Sequence, residues 1–111
     1  MREDVSADDG VPAESPANIV LARQMGLSHA EFFRILPPVV EALPHDIEDE
    51  VVRIENGMRQ LTMTLGPEVE RRLGAMRLPG FELRFEFRGY QQSEVVAFMA
   101  RFDTVFHRGG G

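Results

Sequence analysis

The sequence predicts an α+β fold, a two-layer sandwich in which a three-stranded sheet of order 2-1-3 carries helices on one face, in the element order ααββαβα. Three observations lead there. Phe81-Glu82-Leu83-Arg84-Phe85-Glu86-Phe87-Arg88 alternates apolar with charged residues. Side chains on a strand point to opposite faces with period two, so one face is apolar and the other ionic. Two further alternating runs, Val51–Glu55 and Met58–Leu65, flank Asn56-Gly57, a dipeptide that accepts the positive φ of a tight hairpin turn. Between Gln92 and His107, the residues Val95, Phe98, Met99, Phe102, Val105 and Phe106 recur at helical spacing as an amphipathic stripe.

Residues 1–15 are small, acidic and punctuated by Pro and Gly, and are expected to form a disordered tail ahead of a single α+β domain over 16–108. Pro16–Met25 is expected to be a helix, with Ile19, Val20 and Arg23 at helix spacing and Gly26 as its stop. Ser28-His29-Ala30-Glu31 is a capping box that opens a second helix, running to Leu36. Pro37-Pro38 ends it, because proline lacks the amide that a continuing helix needs. His45–Glu50 is an acidic connection without the spacing or the glycine of a calcium loop. In the hairpin, an Asn56-Gly57 loop pairs Glu55 with Met58 and Val52 with Leu61, and it places Val52, Ile54, Leu61, Met63 and Leu65 on one face. Gly66-Pro67-Glu68 reads as a helix start, with Val69, Leu73 and Met76 as the stripe and Pro79-Gly80 as the stop. That helix makes a right-handed crossover to the strand over 81–88, which then lies at the sheet edge. A Gly89-Tyr90 turn leads into the last helix, and residues 109–111 form a flexible glycine tail.

Composition narrows the function classes. The chain has 111 residues and a formal charge of −6, which opposes a sequence-independent grip on phosphate backbones. No apolar run reaches the roughly 20 residues of a membrane span, and the acidic start lacks the apolar segment of a signal peptide. A cytoplasmic protein is expected. There is no cysteine, which removes thiol and thiolate-metal chemistry. All 12 basic residues are arginine, so lysine chemistry is absent too. His29, His45 and His107 are scattered, and no phosphate loop, nucleophile elbow or His-Glu-x-x-His run is present. No catalytic, cofactor-binding or metal-ligating residue is assigned, no cofactor is expected, and the chain reads as a non-enzyme.

Leu21-Ala22-Arg23-Gln24-Met25-Gly26-Leu27-Ser28-His29-Ala30-Glu31-Phe32-Phe33-Arg34-Ile35-Leu36 resembles the helix-turn-helix segment of bacterial transcription regulators, with Gly26 at the turn and Phe32 and Ile35 behind it. The resemblance implies a DNA-binding regulator in which His29, Phe33 and Arg34 face the major groove. Charge argues against it: the would-be reading face holds one arginine and one glutamate, and no basic cluster follows. The terminal Arg108-Gly109-Gly110-Gly111 resembles the tails of ubiquitin-like sulfur carriers, whose last glycine is activated. Here the tail leaves a helix rather than a strand.

The ionic face of the last strand is the remaining candidate. Paired antiparallel with its own copy about Phe85, the strand sets Glu82 opposite Arg88, Arg84 opposite Glu86 and Leu83 opposite Phe87. The sequence therefore points to a small cytoplasmic accessory or adaptor protein that acts through protein–protein contacts. A homodimer through Glu82, Arg84, Glu86 and Arg88 is one form of this. A DNA-binding regulator over 21–36 and a carrier using Gly111 are the alternatives.

Overall fold

A computed structural model describes residues 17–110. The elements in chain order are β1 (Ala17–Met25), α1 (His29–Ile35), α2 (Pro37–Val40), β2 (His45–Glu48), β3 (Val51–Asn56), β4 (Arg59–Leu65), β5 (Val69–Leu73), β6 (Met76–Tyr90) and α3 (Gln92–Gly110). The strands form one six-stranded sheet in the order β1-β6-β4-β3-β2, with β5 paired to the first part of β6. Every pairing is antiparallel. This replaces the expected three-stranded sheet of order 2-1-3 and its parallel crossover.

Three local expectations change with it. Pro16–Met25 was expected to be helical, but from Ala17 onward it is strand, with exposure alternating residue by residue from Asn18 to Met25. The expected helix after Pro67 is a β-hairpin, β5 and the start of β6, turning at Gly74-Ala75. Here helix-favouring Glu, Arg, Leu and Met are overruled by tertiary context. The sheet face that a fourth helix would cover is already occupied by α1, α2 and α3, whose Phe32, Val40 and Phe102 are buried there. The acidic connection at 45–50 contributes a short edge strand and a tight turn. The acidic segment 1–15 lies outside the described residues.

The 81–88 alternation folds as the expected strand, inside the 15-residue β6. Phe81, Leu83, Phe85 and Phe87 are buried, while Glu82, Arg84 and Arg88 are exposed on the other face. The hairpin register differs from the expected one by two residues. Asn56 pairs with Arg59 and Val52 with Met63, around a Gly57-Met58 loop. A slip by an even number keeps each side chain on its face, so Val52, Ile54, Leu61, Met63 and Leu65 are all buried as expected. The tight hairpin turns place Asp49, Gly57 and Gly74 at positive φ, 53°, 67° and 63°. Each is the first central residue of its loop, as in a type II′ turn, whose twist matches that of the strands.

Aromatic rings join sheet to helices. Phe85 meets Phe102 edge-on at 5.0 Å, Phe102 stacks on Phe106 at 4.5 Å, and Phe106 stacks on Phe32 at 5.0 Å. At the helix starts the capping is side-chain to backbone. The Ser28 hydroxyl accepts from the Glu31 amide at 3.1 Å and the Glu31 carboxylate accepts from the Ser28 amide at 3.4 Å, the reciprocal box expected from sequence. Replacing Ser28 by Ala should lower unfolding free energy by about 1 kcal/mol, read as a lower urea midpoint at unchanged slope.

The Glu94 carboxylate plays the same part for α3, accepting from the Gln91 amide at 2.8 Å. It also pairs with Arg59 at 2.7 Å. Arg59 is the one charge that the hairpin puts on the apolar side, so this pair gives it a partner at the rim. The Gln91 amide, and then Arg59, hold the Glu94 carboxyl below its ordinary value of 4.5. A depressed carboxylate stabilises the fold above its unfolded pKa and loses that contribution as pH falls through the folded one. The stability difference between wild type and Glu94→Gln should therefore be constant from neutral pH down to about pH 5 and shrink as pH falls below the unfolded value. Urea midpoints of both proteins across that range check it.

Candidate interaction surface

A sheet offers other chains its two edge strands, whose outward amides and carbonyls lack a ladder partner. The expected edge, residues 81–88, is not one. β6 is flanked by β1, with Leu21 opposite Phe85, and by β4, with Met63 opposite Phe85. The antiparallel self-pairing about Phe85 is therefore closed. Glu82, Arg84, Glu86 and Arg88 do lie together, on the uncovered face at the sheet's centre. Arg84 pairs there with Glu86 of its own strand at 3.5 Å.

His29, Phe33 and Arg34 share α1 but not a reading face. The His29 ring donates through Nε2 to the Gly66 carbonyl at 2.8 Å and meets Phe81 edge-on at 4.7 Å. Its backbone amide donates to Glu68 Oε1 at 2.8 Å. Phe33 is half-buried and packs on Phe32, leaving Arg34 as the exposed member. With β1 in place of a first helix, the helix-turn-helix geometry is not formed. Gly111 lies outside the described residues.

Among the described residues the edges of the long sheet are β1 and β2, and they differ in chemistry. β2 is four residues, all exposed, with Asp46 and Glu48 in it and Asp49-Glu50 following. Shortness and charge are the usual protections of an edge. β1 is nine residues long and Arg23 is its one charged residue. Its Val20 is 53% exposed on the uncovered face, while Ile19 and Leu21 are half-buried on the other, against the core. Sequence reading missed this surface because Ile19, Val20 and Arg23 also satisfy helical spacing. The strand signal was the alternate set Ile19, Leu21, Arg23 and Met25.

Alongside β1 runs a groove whose far wall is α3. Arg23 crosses it to Asp103, Nη2 to Oδ2 at 3.1 Å. Asp103 thus serves a strand distant in sequence rather than His107 one turn on. The pair divides the groove in two. One part, about 470 Å³, is lined by Ile19, Leu21, Val95, Val96 and Met99. The other, about 640 Å³, lies among Met25, Leu27, Phe102, Phe106 and His107. Both walls are mainly apolar, and the ion pair is half-exposed, so solvent screens it and its breaking costs on the order of 1 kcal/mol or less. Such a surface can take an extended segment as an added strand, with alternate side chains lowered into the groove. Among the described residues no three His, Asp or Glu side chains converge in the manner of a metal site, and no helix is long and apolar enough to cross a membrane. No protein-family model, curated protein or solved structure matches the chain.

Proposed function

We propose that this chain is a small non-enzymatic cytoplasmic adaptor that binds an extended segment of another protein along β1. The observation that carries this reading is the contrast between the two edges that the long sheet has among the described residues. One is short and acidic, while the other is long, almost uncharged and bordered by an apolar groove. Strand addition supplies main-chain hydrogen bonds without demanding a particular sequence, and the groove supplies selectivity through alternate side chains. An uncharged apolar segment fits best, because a charged side chain lowered between Leu21 and Val96 would lose its water without a partner.

Selection of peptides from a displayed random library against the folded protein tests this. The enriched peptides should carry apolar residues at alternating positions. They should lose at least about tenfold in affinity toward Val96→Glu, a substitution at a side chain 62% exposed that leaves folding intact. Ile47→Glu, on the opposite edge, should change nothing. Absence of enrichment, or peptides indifferent to Val96→Glu, would remove the proposal.

A further inference from the structure

The hairpin formed by β5 and the start of β6 is exposed from Val69 to Arg77. It is basic in an acidic chain: Arg71, Arg72 and Arg77 stand against Glu70 there, while the whole chain carries −6. Arg72 and Arg77 are direct cross-strand partners, a like-charge pair that opposes the hairpin's own ladder. Glu70 offsets it with one exposed contact of 3.7 Å to Arg77. Val69, Leu73 and Met76 are 52%, 64% and 60% exposed on the other face of the hairpin. β5 has β6 on one side, and among the described residues no strand on its other. The result is a free edge that is both basic and apolar.

The same chain carries its complement. Among the described residues β2 is also an edge, with Asp46 and Glu48 on one face and Ile47, 46% exposed, on the other. The acids that keep β2 from pairing with another β2 favour a basic strand in its place. Glu48 is held only loosely by Arg53, at 3.6 Å with both side chains exposed, so its carboxylate can exchange partners at little cost. We propose that the β5 edge of one copy pairs antiparallel with the β2 edge of a second copy, placing Arg72 opposite Glu48 and Leu73 opposite Ile47. A polyanion such as nucleic acid fits less well, because the −6 charge of the chain repels it at long range. An acidic edge borne on the same protein meets the basic hairpin locally.

Sedimentation velocity of the full chain over a range of concentrations at low ionic strength tests this, with Arg72→Glu, Glu48→Arg and Glu48→Gln as variants. The expected result is a mass that rises with concentration and falls back with added salt. Each charge reversal should weaken self-association at least about tenfold, Glu48→Gln should weaken it less, and mixing Arg72→Glu with Glu48→Arg should restore it. Arg72→Glu removes the repulsion with Arg77, so the hairpin itself stays formed; circular-dichroism melts verify this for every variant. A protein that stays monomeric throughout overturns the proposal. So does association that ignores the reversals, and if such association is instead lost with Val96→Glu it belongs to the β1 groove.

Discussion

Replacing Phe85 by Ala should lower the unfolding free energy by about 3–5 kcal/mol, a large part of the roughly 5–15 kcal/mol that holds a typical domain folded. Phe85 is fully buried at the middle of the central strand, between Leu21 of β1 and Met63 of β4. Its ring stacks along the strand on Phe87 at 6.1 Å and meets Phe102 of α3 edge-on at 5.0 Å. Truncation removes the transfer free energy of the ring and leaves a void. β1, β4 and β6 are locked in one ladder and cannot close in on it. Urea denaturation should show a lower midpoint at unchanged slope. Glu86→Ala, next along the strand and facing the other way, should shift stability by no more than about 0.5 kcal/mol. If the two substitutions cost the same, the sheet does not bury the face described.

That contrast between neighbouring residues was legible in the sequence, because alternation is a local property. It follows from the pleat, whatever strands stand alongside. The identity of those strands is not local, and there the reading failed. A charged face on residues 81–88 suits an edge and a centre equally well when one side of the sheet is uncovered. What decides is whether a further strand exists to take the second flank, and that strand, β1, was hidden in a segment compatible with both periods. Arg23 contributed to the misreading. As a helical residue it completes a spacing, whereas in the fold its stem lies in the groove and its guanidinium reaches Asp103, 80 residues away. The central hairpin shows the opposite case. Its loop was misplaced by one residue and its register by two, yet its buried set was right, because faces depend only on parity. The basic hairpin was misread from the proline-led start at Gly66-Pro67-Glu68 and the helical spacing of Val69, Leu73 and Met76, and a pairing between Arg72 and Arg77 is one that neither residue favours by itself.

Gly89→Ala should be the most damaging single-methyl change, costing about 3 kcal/mol or more. The register between β1 and β6 shifts near Gly89, so that Ala17 faces Tyr90 while Ile19 faces Phe87. The extra residue is absorbed as a bulge, with Gly89 at φ 77°. Left-handed backbone costs an ordinary residue about 1–2 kcal/mol. A second cost adds to it: a Cβ at this position would clash with the Met58 carbonyl oxygen, where the Gly57-Met58 turn lies against the strand. Backbone cannot yield as a flexible side chain would, so the hairpin turn or the bulge must move. Moving the bulge displaces Tyr90, whose buried ring packs edge-on against Phe87 at 5.1 Å. Gly57→Ala separates the two costs. Gly57 has φ 67° with nothing within 4 Å of its would-be Cβ, so it should lose only the backbone part, about 1–2 kcal/mol. Parallel urea titrations of the two variants measure the difference, which is the steric contribution of the turn. Equal losses at the two glycines would mean that the turn does not press against the strand at the bulge.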